Sequence, residues 1–405
     1  MTRVWGTWGA LVLFALGTSL ITPLIPLYQD RLGFNDTVVT LFLVCYVVTL
    51  VPSMLTLGQV SDRVGRKPVL IGALIVLGGA QAFLVTEPPL WGLLVARALQ
   101  GAATGAYFGT CSALLVDSAP PGRRQMAATL GSISIRLGLG LGPGFGGVIA
   151  EYADHPLRLP FQLHLIAVAV AVVVVALIPE TVREATRRPL ALRLEVPAAE
   201  RAVFWRVLVP SGMLFSLFDG VALALIPVYE VRTLGVTNYA LVGAAGFLVL
   251  VSGSLSQVLM PRLAPQPAIA RGLVVATAAS VGVVVGAPIE STALVLCSVA
   301  VTGAACGLVF KGGVDLITQI APVQDRGKLF SSYYVACYLG GFSVPLLVIG
   351  VLADLIGLTA ALGCLSAGAA AGSAWTALVG LRALGGLAGA DAPPVAEAGA
   401  SPNGG

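Results

Sequence analysis

Apolar positions along this chain come in long unbroken runs, neither alternating nor confined to one helical face. Runs divided by charged or Pro/Gly-rich breaks fall near 7–28, 38–59, 69–86, 90–116, 127–149 and 160–178. A second set follows near 207–229, 239–260, 270–288, 291–318, 330–352 and 358–380. An α-helix needs about 20 such residues to cross a bilayer, and open strands would leave backbone groups unsatisfied in hydrocarbon. A transmembrane barrel predicts alternating segments of about ten residues, whereas Ala167–Leu177 is continuously apolar. The pattern predicts an all-α membrane protein with twelve spanning helices, six and six. The first run is too long for a signal peptide, and Pro23 and Pro26 stand inside it where a small-residue cleavage site would be.

Composition agrees. Of 405 residues, 57% are hydrophobic and 10% charged, with mean hydropathy +0.94; a soluble domain runs at about 45–50% and about 25%. So few charges cannot clothe a soluble enzyme, and the 49 glycines show no collagen-like triplet period. With the N-terminus inside, the inner loops and termini carry 17 basic residues. These are Arg3, Arg63, Arg66, Lys67, Arg123, Arg124, Arg183, Arg187, Arg188, Arg193, Arg201, Arg206, Arg262, Arg271, Arg326, Lys328 and Arg382. The outer loops carry only Arg31, Arg158 and Arg232. This bias predicts both termini in the cytoplasm, and it makes the net charge of +4 a topology signal rather than a case for nucleic acid. The segment Pro179–Arg206, with six arginines and four glutamates, reads as a solvated linker with an amphipathic stretch near Leu190–Val196. Expected domains are residues 1–180, a linker 181–204, residues 205–383, and a disordered tail 384–405.

Cys45, Cys111, Cys297, Cys306, Cys337 and Cys364 fall within spans and read as buried inert thiols, with no disulfide or metal framework. His155 and His164 read as interfacial. No cofactor is expected.

A repeat runs through the chain. Shifting by 202 residues lays Gly101–Gly105 on Gly303–Gly307, Phe108 on Phe310 and Ala119-Pro120 on Ala321-Pro322. Leu137-Gly138 then falls on Leu339-Gly340 and Pro143 on Pro345, while Gln59-Val60 matches Gln257-Val258 at a shift of 198. Two parallel six-helix halves related by an axis along the membrane normal follow from this.

Three segments carry more specific patterns. Gly58-Gln-Val-Ser-Asp62-Arg63-Val-Gly65-Arg66-Lys67 lies between the second and third runs. It strongly resembles the loop signature of the major facilitator superfamily. The glycines would permit close helix approach and a tight turn, and the charges would pair at the cytoplasmic rim. The resemblance implies a gating latch between the halves, with Asp117 as a partner of Arg66 or Arg63. Arg97-Ala-Leu-Gln100-Gly101 is similar to the superfamily signature associated with proton coupling. An arginine inside a span costs about 2.5–3.5 kcal/mol on insertion scales and should face a cavity or a partner; snorkelling to the outer interface is the alternative. Gly138-x-x-x-Gly142-Pro143-x-x-Gly146-Gly147 matches the motif associated with antiporters, although glycines at this spacing also serve plain helix packing. Gly142, Gly144 and Gly147 spell a dinucleotide-like pattern, but no strand surrounds them. Pro179-Glu180-Thr181 resembles a span-six ending common in exporters of the superfamily.

Five ionisable residues are candidates for intramembrane positions: Arg97, Arg136, Asp219, Lys311 and Asp315. Lys311 and Asp315 are four apart and can neutralise each other on one helix face. Asp219, flanked by Phe215 and Phe218, has no such helix-mate, and a carboxylate is costly to keep charged in apolar surroundings. It is the expected proton carrier, modulated by Arg97 or Arg136; a purely structural pair with an arginine is the alternative. These charges sum to +1, which favours a neutral, zwitterionic or anionic amphiphile. Gln100, Tyr107, Phe108, Phe215, Phe218, Tyr334 and Tyr338 are its candidate contacts. The resemblance, covering the whole chain, implies a monomeric secondary transporter of the drug:proton antiporter branch in the inner membrane, exchanging a small amphiphile for protons. An importer or symporter on the same fold, or a non-transporting sensor or scaffold, remains open. No nucleophile, metal set or nucleotide loop supports an enzyme.

Overall fold

The computed structural model describes residues 2–182, 194–322 and 325–380. Arg183, Arg187, Arg188, Arg193 and Arg382, the first part of the stretch 190–196, and the tail 384–405 lie outside the described residues.

The first half comprises α1 (Thr2–Ser19), α2 (Ile25–Leu32), α3 (Asp36–Val64), α4 (Arg66–Val85), α5 (Leu90–Asp117), α6 (Arg124–Tyr152) and α7 (Leu159–Leu177). The second half comprises α8 (Arg201–Val203), α9 (Val209–Ala224), α10 (Ile226–Arg232), α11 (Tyr239–Leu259), α12 (Pro265–Gly286), α13 (Thr292–Ile320), α14 (Arg326–Gly341), α15 (Val344–Ile356) and α16 (Leu358–Trp375). No strand occurs among the described residues. Three expected spans are each two helices: α1 and α2 part at Thr22–Leu24 beside Pro23, α9 and α10 meet at Leu225 before Pro227, and α14 and α15 part before Pro345. Proline has no N–H to continue the ladder, so each break falls where the sequence withholds a donor. Side chains start other helices, with Asn35, Asn238 and Ser291 accepting the free N–H groups of α3, α11 and α13.

Eleven helical segments among the described residues are long and apolar enough to cross a membrane. The helix α5 is not among them, although its 28 residues suffice in length. It carries Arg97, Gln100, Thr104 and Thr110, so the long helix that falls short is the one bearing the coupling-type signature.

Packing repeats between halves. In the first, α3 packs on α5, α4 on α5 and α7, and α1 on α6; in the second, α11 packs on α13, α12 on α13 and α16, and α9 on α14. The halves meet through α6 against α11 and α3 against α15. Small residues let these backbones approach where lipid removes the hydrophobic drive for association. A Cβ on Gly101 would strike the Tyr46 carbonyl and Thr49 hydroxyl, and one on Gly303 the Val249 carbonyl and Ser252 hydroxyl. Thr49 and Ser53 reinforce the first crossing by bonding Ala98 O at 2.7 Å and Ala102 O at 2.5 Å. These contacts set Tyr46 against Val249 and Thr49 against Ser252, a shift of 203. The match of Gln59 with Gln257 at 198 is therefore out of register, a coincidence of biased composition.

His164 is buried among the helices: its ring fills the space left by Gly17 and contacts Leu13 O at 2.9 Å. The expectation for the cysteines needs correction. Cys111, Cys306 and Cys337 are buried, but Cys297 and Cys364 are exposed on the outside of the bundle; all six are unpaired. Lipid tolerates an outward thiol as readily as a leucine, so span membership did not decide burial.

Candidate substrate cavity and gates

A cavity of about 690 Å³ lies between the halves. Its wall runs from Thr18, Thr22 and Ile25 past Tyr46, Arg97, Phe108, Arg136 and Asp219 to Val116, Asp117, Ala128 and Gln257 at the end bearing the basic loops. The second half contributes a strip of rings. Phe215 meets Phe310 at 5.5 Å, Phe310 meets Tyr334 at 6.1 Å, and Tyr334, Tyr338 and Phe342 follow at 6.2 and 5.7 Å along α14. Of the expected contacts, Phe108, Phe215, Tyr334 and Tyr338 line this wall. Tyr107 does not: it is stacked on Phe14 at 3.9 Å in the packing behind α5. Gln100 is buried behind Arg97, and Phe218 is buried off the wall. Successive helix positions differ by about 100°, so hydropathy could not separate Tyr107 from Phe108. Tyr46, Phe42, Phe310 and Phe342 were missed, although the repeat already set Phe310 on Phe108.

Arg136 and Asp219 form an ion pair at 3.1 Å that crosses from α6 to α9, with side chains 14% and 5% exposed. The guanidinium rests against Gly253, where any Cβ would displace it, and the second carboxylate oxygen of Asp219 has no partner. Arg97 is 6% exposed and does not snorkel. Its Nη1 donates to Thr18 O at 2.7 Å and Gln100 Oε1 at 2.8 Å, and its guanidinium lies 4.9 Å from the Tyr46 ring centre. Lys311 and Asp315 pair with each other at 2.5 Å away from the wall, as their spacing allowed. Glu230 was not anticipated, because the apolar run ends at 229. It is fully buried, and both its oxygens lack partners.

The antiporter-type motif divides between two neighbours. Gly138, Gly142 and Gly146 face α1, where added Cβ atoms would meet Val12 O, Leu16 O and Leu20 O. Pro143 and Gly147 face α11, packed on Gly243 and Gly246 across the half interface. Pro143 cannot donate to Leu139 O, and Ser19 of α1 supplies that bond at 2.6 Å. The motif thus builds both the first half and its contact with the second.

At the basic end, the segment expected as a loop is helical through Val64, and Gly65 alone interrupts α3 and α4. Its φ of 100° is open to glycine, and a Cβ there would lie 2.6 Å from Glu180 Oε2. Gly58, expected to permit close approach, has open space around it. Glu180 caps α4 from beyond α7, accepting from the backbone N–H of Arg66 at 3.1 Å and of Lys67 at 2.9 Å. It also accepts from Thr181 and Val182. Burial opposes its charge, yet the four N–H donors outweigh that and hold its carboxyl below the usual range. Arg66 reaches Asp117 at 2.8 Å and Asp62 at 3.8 Å, and Thr181 bonds Asp117 at 3.3 Å. These ties join α3, α4, α5 and the chain after α7 and brace the first half.

The opposite end is closed across the halves. Asp354, at the end of α15, accepts from Asp36 N at 2.8 Å, Thr37 N at 3.0 Å and Thr37 Oγ1 at 2.5 Å, capping α3. Glu151, at the end of α6, accepts from Tyr239 N at 2.7 Å, capping α11. Glu151 and Asp354 are 203 residues apart, the same shift that relates α3 to α11. Each half therefore caps a helix of the other, and Gly350 packs on Thr40 beside one cap.

Two like helical halves around a central cavity closed at one end define a membrane protein of two packed helical bundles. The chain belongs to the Major Facilitator Superfamily, whose family model matches residues 7–345. It is 28% identical over 166 residues to the inner membrane transport protein YajR of Escherichia coli (strain K12), covering 40% of this chain and 35% of that protein. It is 27% identical over 198 residues to the class C tetracycline resistance protein of Escherichia coli, covering 47% of this chain and 48% of that protein. These alignments span less than half the length of the curated relatives. A bacterial homolog of the human lysosomal transporter Spinster, solved in an inward-facing and unoccupied conformation, shares the fold. Its TM-score is 0.72 at 14% identity, covering 95% of this chain and 97% of that chain.

Proposed function

We propose that the protein is a monomeric, proton-coupled exporter of a small amphiphile in the inner membrane, of the drug:proton antiporter branch, with both termini cytoplasmic. Residues 1–180 and 205–383 form the moving halves, joined by the linker 181–204. With the basic loops inside, the cavity is open to the cytoplasm. The observation that carries the reading is the Arg136–Asp219 pair, which links the halves inside the cavity. A proton taken by Asp219 removes its charge and with it the ionic tie, so protonation discriminates between arrangements of the halves, as coupling requires. The free Asp219 oxygen offers a lone pair for that proton. The names of the tetracycline resistance relatives support the outward direction.

In proteoliposomes with an imposed pH gradient, addition of tetracycline or of an organic anion should release protons in wild type, followed with a pH-sensitive dye. Asp219→Asn should lose that flux while keeping gradient-free exchange of substrate. Full gradient-driven transport by Asp219→Asn would refute the assignment.

A further inference from the structure

Arg97 and Arg136 are the two cations on the cavity wall among the described residues. Arg136 is neutralised by Asp219. Arg97 has no carboxylate within ion-pair distance: Nη1 bonds only a backbone carbonyl and an amide oxygen, both neutral. Its Nε and the nearby Gln100 Nε2 are buried donors without acceptors. A buried charge and unmade donor bonds are each unfavourable, and an acceptor carrying negative charge would relieve both. Arg97 projects from α5 of the first half, whereas the strip Phe310, Tyr334, Tyr338 and Phe342 belongs to the second. The site therefore presents a positive pole on one half and an aromatic face on the other.

We infer that the substrate is a lipophilic organic monoanion, its carboxylate seated at Arg97 and its apolar body laid along the α14 strip. The inference rests on the proposed function only in taking this cavity as the transport site. A molecule held at both poles touches both halves at once, and its binding depends on their spacing. Arg97 supplies a charge-assisted contact that a neutral isostere cannot replace, and a cationic analogue meets the unbalanced arginine.

The test uses the purified full chain in detergent, with biphenylacetate, biphenylacetamide and biphenylethylamine as probes and affinity measured by titration calorimetry. Biphenylacetate should bind roughly tenfold or more tighter than the amide, and the amine weakest. Arg97→Gln should bind acid and amide alike, Arg97→Lys should keep the preference for the acid, and Tyr338→Leu should weaken both acid and amide together. A melting curve of each unliganded variant checks folding; if Arg97→Gln fails to fold, wild type and Arg97→Lys still decide the order. Tightest binding of the amine, an intact acid preference in folded Arg97→Gln, or no binding of biphenylacetate would overturn the inference. No gradient is involved, so a chain that selects the acid yet moves no protons would keep this inference and lose the proton-coupled reading, and the reverse outcome would do the opposite.

Discussion

The paired caps at the sealed end make a quantitative prediction about the conformational equilibrium. Glu151→Ala with Asp354→Ala removes both carboxylates that accept helix N–H groups across the halves. When the end opens, water solvates those groups, so the loss falls on the closed state alone. Removing a cap costs about 0.5–2 kcal/mol, and the helix-dipole share of that is screened by salt. Asp354 is solvent-exposed, which places its share in the lower part of the range. Two independent sites add, giving about 1–3 kcal/mol, or a shift of roughly five- to 150-fold towards the open outer end. Spin labels on His155→Cys and Thr237→Cys, with the six native cysteines replaced, report the separation across this end. The double variant should show a new long-distance population, larger than in either single variant, and salt should produce a weaker shift of the same sign in wild type. A distance distribution identical to wild type at low salt would show that the caps do not hold the gate.

Glu180 predicts a pH effect of definite sign. Its folded value lies below the ordinary range near 4.5, so its stabilisation is present above that range and is lost as pH falls through the lower folded value; wild type should lose more thermal stability than Glu180→Gln over that acid interval, and parallel curves would refute the cap. Gly101→Ala should lower thermal stability, by about 1–3 kcal/mol, because its Cβ would meet a backbone carbonyl. Gly58→Ala, in open space, should leave the melting curve unchanged. Glu230→Met should be neutral or stabilising, since it removes two buried acceptors that have no donors; a large fall in melting temperature would reveal a partner. Arg136→Met or Asp219→Leu alone should cost about 3–5 kcal/mol and the double variant much less, a cycle that additive losses would contradict.

Much of the fold was legible because lipid imposes one solution on a long apolar run. The runs located the spans but not their ends: hydropathy places 59 as the end of the second span, and the helix continues to Val64. Water ends the apolar run, whereas the backbone ladder ends only where Gly65 adopts a left-handed φ. Spacing announced the Lys311–Asp315 pair because its partners are one turn apart, while the Arg136–Asp219 pair, 83 residues apart, needed the fold. The glycines of span five were legible as a motif, but which neighbour each one touches was not.

The sealed end and the braced end use one device, a carboxylate accepting the N–H groups of a helix start. At the basic end Glu180 acts within a single half and ties α4, α5 and the chain after α7 together. At the other end Asp354 and Glu151 act between halves. Lipid tails are as apolar as the helix faces, so burial gives the halves little reason to prefer one approach over another. What distinguishes the closed from the open end must then be a small set of polar contacts that water can replace at little net cost. Two symmetry-related caps meet that requirement, because each helix start they satisfy is solvated as soon as the end parts. The glycine-packed crossings at Gly101 and Gly303, whose bare carbonyls admit no side chain, lie instead within each half and offer no such exchange with water.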